Sequence, residues 1–240
     1  MRNHGTRVIS IFKIKFVVLK QTVTLISLII LIFSCFTGIY AAGYDFNKLS
    51  QLAKLRYGEV AYRNILELNQ LVINLKSAPE TEKLKQINDF FNQKIKFTDD
   101  IDLWGQADYW ATPLETIGMQ AGDCEDFSIA KYIFLKALNI PNDKLRLTYV
   151  RAEIMGPDNN YVKAHMVLSY YATPQSEPLI LDNLIPEIMP SSKRNDLTPI
   201  FSFNSNALWI GASNNPKGEA KSHLSRWRDV LSRIQADGIE

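Results

Sequence analysis

Residues 121–134 read AGDCEDFSIAKYIF, and they set a cysteine among carboxylates. Asp123, Glu125 and Asp126 crowd Cys124, and nearby negative charge raises a thiol's pKa and suppresses the reactive thiolate. Either Cys124 is an inert buried residue or something cancels that charge. The stretch also reads as the start of a helix over 124–138. Asp123 is a good N-cap, with Asp126 three residues on. Phe127, Ala130, Phe134 and Ala137 form its inward stripe, which Cys124 joins at the first turn. Asn139-Ile140-Pro141 ends it.

Upstream, residues 46–56 and 59–76 show apolar spacing near the helical period, with Ile65, Leu68, Val72 and Leu75 on one stripe. Ser77-Ala78-Pro79-Glu80 resembles a capping box ahead of a helix reaching about Phe91. KFTDDIDLWGQADYWATPLETI, rich in aromatic and turn residues, reads as a structured loop of the kind that walls active sites. Trp104, Trp110 and Trp209 are expected in the core or the cleft wall, and Trp227 in the core. Downstream the period changes to two. KLRLTYVRA, YVKAHMVLSYY and PLILDN read as strands, and TPIFSFN as a further one. In the second, Val162, Ala164, Met166 and Leu168 share one face and His165 points to the other. Residues 218–236 read as an amphipathic helix with Leu224, Trp227, Val230, Leu231 and Ile234 inward. Helices, then the cysteine helix, then antiparallel strands give an α+β domain without internal repeats.

The first 42 residues differ from the rest. Arg2, Arg7, Lys13, Lys15 and Lys20 precede the apolar run TLISLIILIFSCFTGIYAAG, and no Asp or Glu occurs before Asp45. This is the layout of a secretory signal, with Ile39-Tyr40-Ala41 or Tyr40-Ala41-Ala42 as the small-residue end. An uncleaved membrane anchor and lipid attachment at Cys35 are the alternatives. The expected organisation is residues 1–42 as signal peptide or anchor and 43–240 as one exported domain. Of the chain's 27 Lys+Arg, 22 then remain against 25 Asp+Glu, a net charge of about −3. With no basic stripe or aromatic–basic interleaving, nucleic-acid binding is disfavoured.

Of two cysteines, only Cys124 lies beyond the leader. A lone thiol in an oxidising compartment is either buried or used. His165 and His223 are the only histidines left to partner it. Cys124 at a helix start, His165 in a strand and Asp182 at the end of the next strand arrive in the order of a Cys–His–Asp triad. Asn183 is an alternative orienting group. His223 is expected on the exposed side of the tail helix. The helix N-terminus favours thiolate, and its backbone N–H groups suit an oxyanion. One or two acids at a helix start need only the helix dipole as explanation, whereas three around a candidate nucleophile fit a hard divalent cation such as calcium. Asp99, Asp100, Asp102 and Asp108 are all candidates to complete its shell.

WATPLETIGMQAGDCEDFSIAKYIFLKAL, AHMVLSYY and PLILDNL together resemble the bacterial transglutaminase-like cysteine proteinases, from about Phe46 to Trp209. The resemblance implies a papain-like, transglutaminase-like fold with Cys124, His165 and Asp182 as triad. It implies calcium dependence, with Asp123 and Glu125 as ligands and Asp126 as a third. It further implies cleavage of a large surface adhesin near its N-terminus at a di-alanine motif, releasing it and dispersing the biofilm. The inhibitory partner it implies is the periplasmic domain of an inner-membrane cyclic-di-GMP receptor, for which exposed aromatics near Trp104 and Trp110 are the first candidate surface. Two other readings use the same residues: a transglutaminase or amidase with an amine acceptor, and a non-catalytic calcium-dependent adaptor.

Overall fold

Two helices open the domain, α1 (Phe46–Tyr57) and α2 (Glu59–Leu75), joined by Gly58 at φ +85°, a conformation in which only glycine is unstrained. In this computed structural model, residues 44–156, 159–220 and 224–239 are described, all within the unit Gly43–Glu240. The expected leader, Cys35 and His223 lie outside the described residues. The stripe Ile65, Leu68, Val72 and Leu75 is buried as its spacing requires. Helix α3 (Glu80–Lys94) begins at Glu80 behind Pro79, with no side-chain cap. The capping box expected at Ser77 does not form, because that residue lies two positions before the true cap.

The aromatic loop folds into two short helices, α4 (Asp100–Trp104) and α5 (Pro113–Met119). The second is fixed by a capping box, Thr112 with Glu115, and a proline in its first turn. Strand β1 (Lys96–Phe97) pairs in parallel with β2 (Ala121–Gly122), so the loop starts alongside the residues leading into α6 (Cys124–Ala137).

The other six strands form one sheet in the order β6-β5-β4-β3-β7-β8: β3 (Leu145–Ile154), β4 (Tyr161–Tyr170), β5 (Leu179–Leu181), β6 (Met189–Pro190), β7 (Leu197–Phe203) and β8 (Leu208–Ile210). All neighbours within it are antiparallel. Helix α6 packs on β4 and β3, and Leu147, Met166, Leu168, Leu181 and Phe203 join the helices in the main core. Val150, Ala152, Val167 and Ile180 form a smaller separate cluster. Of the β4 residues expected to share one face, Met166 and Leu168 are buried, and Val162 and Ala164 are exposed. The first four residues of β4 are all exposed.

Helix α7 (Ser225–Ala236) closes the domain, burying Trp227, Val230 and Ile234, with Leu224 and Leu231 half-buried. Gly218, where the apolar spacing sets the start of this helical region, instead bridges back to Leu208 as extended chain. Trp227 meets Phe203 edge-on at 5.4 Å, and Phe203 stacks on Trp110 at 5.8 Å. Trp110 is therefore core, not part of an exposed partner surface. No helix among the described residues is long and apolar enough to cross a membrane. Replacing Trp227 by Ala removes a fully buried ring and the bond from its Nε1 to Asn204 O, and is expected to cost about 3–5 kcal/mol in urea unfolding. A cost under about 1 kcal/mol would show that α7 is not part of the cooperative core.

Candidate active site

Helix α6 starts where its capping residues demand. Asp123 accepts from Glu125 N–H, and Asp126 accepts from Asp123 N–H, a reciprocal box. Asp126 also reaches further back. Its Oδ1 accepts from Ala111 N–H at 2.7 Å, tying the aromatic loop to the helix start. Gly122 makes this possible. A Cβ there would sit 2.6 Å from Asp126 Oδ2, so only glycine lets the carboxylate fold back over the preceding chain.

The β1–β2 pairing decides which loop acid reaches this cluster. Thr98 N–H donates to Gly122 O at 2.9 Å, which brings Asp100 beside Asp123 and Asp126. Carboxylate oxygens of Asp100, Asp123 and Asp126 lie within 4.8 Å of one another. Asp99 pairs instead with Lys163, Asp108 pairs with Arg226, and Asp102 is exposed. Asp100 uses Oδ2 to accept from Tyr109 N–H, while its Oδ1 is buried without a donor. Burial pushes the Asp123 carboxyl up to about 9, with Glu125, Asp126 and Asp100 adding to the shift. Burial likewise pushes Asp126 up to about 8, although the Ala111 N–H opposes it. An oxygen-only set with an unsatisfied buried oxygen and too little positive charge fits a hard divalent cation such as calcium.

Cys124 occupies the first helical position, 8% exposed. Its Sγ donates to Glu125 Oε2 at 2.7 Å, and Glu125 is held from behind by Tyr149 Oη at 2.7 Å. Glu125 thus faces the thiol, and with Asp123 and Cys124 it forms a second group whose ligand atoms lie within 4.8 Å. Burial raises the thiol's pKa well above the ordinary range, and Glu125 and Asp123 raise it further. The backbone of Met166, on β4, opposes them.

His165 precedes Met166 on the same strand. Its Nε2 lies 2.8 Å from Asp182 Oδ1, and both side chains are buried. Asp182 stands just past β5, which pairs with β4, as the strand order leads us to expect. Burial alone would raise the Asp182 pKa, but His165, the Leu184 N–H and Arg194 outweigh it and hold the carboxyl near 2. Asn183 takes no part in orienting His165; its Oδ1 is buried without a partner. With Nε2 engaged, Nδ1 is the imidazole nitrogen left for proton exchange. Helix start, β4 and β5 thus hold a thiol and an imidazole–carboxylate pair on adjoining backbone. Such a set suits nucleophilic acyl transfer once the thiol is ionised.

The family profile described as bacterial transglutaminase-like cysteine proteinase matches residues 66–199. The chain belongs to this family. A search of curated proteins returned no match. Among solved structures, the EGTA-treated form of Legionella pneumophila LapG is 38% identical, with TM-score 0.69, covering 80% of this chain and 98% of that one. The calcium-bound form of the same protein is 38% identical, with TM-score 0.66, covering 79% of this chain and 98% of that one. Its α+β fold, with the cysteine helix packed on an antiparallel sheet, is therefore that of a transglutaminase-like cysteine proteinase, and LapG is a member with a calcium-bound form.

Sequence reasoning missed two parts of this proteinase's site. Arg194 sits in a turn with no periodic pattern to mark it. Tyr149 reads as an ordinary strand aromatic, and nothing in its spacing announces its bond to Glu125. The acidic cluster also carries a pH signature. Asp123 and Asp126 hold protons in the folded chain up to about 9 and 8, whereas unfolded carboxyls release theirs near 4. Their stabilising effect is full below about pH 4 and is lost as pH rises through these folded values. With chelator present, the urea midpoint should fall between about pH 5 and 8, and Asp123→Asn should flatten that fall. A midpoint that rises across this window would contradict the assignment.

Proposed function

We propose that the protein is a periplasmic, calcium-dependent cysteine endopeptidase acting on a large surface adhesin. The observation that carries this reading is the 2.8 Å His165–Asp182 contact, on a strand packed against the helix that starts at Cys124. Cys124 attacks the scissile carbonyl. His165 accepts the thiol proton and later gives it to the leaving amine, while Asp182 keeps the imidazole oriented. The acyl-enzyme is then resolved by water. Backbone N–H groups at the start of α6 stabilise the oxyanion.

Asp123, Glu125 and Asp126, with Asp100, would hold calcium. The bound ion supplies positive charge that offsets the carboxylates around the thiol. The chain's own residues do the rest: they present the sulfur at a helix start and keep it almost wholly out of water. Kinship with LapG and the calcium-bound form of that protein support the metal. The same kinship supports the finer reading of adhesin release. The cut would fall near the adhesin's N-terminus at a di-alanine motif, and the cell would shed the adhesin and leave the biofilm. The periplasmic domain of an inner-membrane receptor would restrain the protease while cytoplasmic cyclic-di-GMP is high.

The test is cleavage of an adhesin N-terminal fragment carrying a di-alanine site. Two fragments should appear with calcium and none with chelator. Cys124→Ala should abolish cleavage without unfolding the domain. Cleavage by Cys124→Ala would overturn the mechanism, and a cross-linked product in place of fragments would point to amine transfer.

A further inference from the structure

Arg194 follows the 3-10 turn Ser191–Lys193 and is 2% exposed. Its Nη2 donates to Asp182 Oδ2 at 2.7 Å and to Asp196 Oδ2 at 2.7 Å, and its Nε donates to Asp196 Oδ1 at 3.0 Å. Asp182 is therefore held at both oxygens: Oδ1 accepts from Leu184 N–H and faces His165, and Oδ2 takes the guanidinium. The arrangement is a poor device for stability. Burying an ion pair costs more desolvation than its attraction usually returns, and here Nη1 is left buried without an acceptor. Its effect on the neighbouring pair is more direct. A carboxylate bonded only to an imidazole can pivot, and its full charge falls on the ring. A carboxylate gripped by a fixed planar cation can do neither.

We propose that Arg194 is a positioning residue for the His165–Asp182 pair, fixing the carboxylate's orientation and dividing its charge between a guanidinium and the imidazole. The inference rests on the endopeptidase reading, in which that pair performs the proton transfers. The charged groups packed around the pair come from several elements. Asp182 and Arg194 face it from the β5 end and the turn beyond, with Asp196 behind Arg194. From α6 comes the buried Lys131, lowered to about 7 by burial despite the opposing charges of Asp182 and Asp89. Lys131 titrates in every variant below, so differences between variants isolate Arg194.

The test uses the full chain with calcium. In a Cys124→Ala background, the His165 ring signal is followed by NMR against pH, identified as the signal lost in His165→Gln. Arg194→Met leaves the Asp182 anion uncompensated, so the imidazolium should persist to a pH higher by about one unit or more. With Cys124 intact, Arg194→Met should lower kcat roughly ten- to a hundredfold with KM little changed, as expected when a reacting group loses its alignment. Arg194→Lys should recover part of both effects. Asp196→Asn, which frees Arg194 without touching Asp182, should lower kcat by a smaller factor and serves if Arg194→Met does not fold. A purely structural arginine would lower stability and leave the His165 titration where it is. An unchanged midpoint and unchanged kcat in Arg194→Lys and Asp196→Asn, or in folded Arg194→Met, overturns the proposal. If those variants are silent while Cys124→Ala is inactive, only this inference falls; an active Cys124→Ala removes the reading beneath it.

Discussion

A carboxylate without access to water organises the reactive end of this molecule. Asp126 accepts from the backbone of Ala111 and of Asp123, and so binds the aromatic loop to the start of α6. Burying such a group requires partners, and two N–H donors supply part of what water would have given. Asp123 and Asp100 come within reach through the same backbone pairing, and each adds negative charge. The geometry that presents Cys124 therefore creates an electrostatic deficit beside it. Protons or a divalent cation can fill that deficit, and the folded domain supplies neither from its own side chains. The proposed metal binding and thiol control both rest on this one local imbalance.

The other half of the constellation is balanced from within. Asp182 has its imidazole, a backbone N–H and a buried guanidinium, and its carboxyl stays ionised at any neutral pH. The imidazole–carboxylate pair is thus permanently set, whereas the nucleophile waits on its surroundings.

Much of this is legible from residue patterns. The stripe of α2, the capping pair of α6 and the period-two strands are visible because each depends on neighbours in sequence. So is the order of Cys124, His165 and Asp182. What escapes depends on contacts between distant segments. Four loop aspartates look equivalent, and only the two-residue pairing of β1 with β2 singles out Asp100. Arg194 reaches Asp182 from an irregular turn, where periodicity carries no information. The capping motif at Ser77 misleads because it falls two residues ahead of the cap of a helix that begins at Glu80. Trp110 stacks inward on Phe203, as its expected place in the core or cleft wall allows, and so offers no exposed ring to a partner. The calcium expectation begins with the three acids around Cys124, and family resemblance, not spacing, puts names to its ligands.

The most direct measurement is the rate at which iodoacetamide alkylates Cys124 at neutral pH, read by mass spectrometry with calcium and with chelator. If the carboxylate cluster suppresses the thiolate until a cation offsets it, alkylation should be at least about tenfold faster with calcium, one unit of thiol pKa. Equal rates in the two conditions would show that the acids around Cys124 do not govern its reactivity.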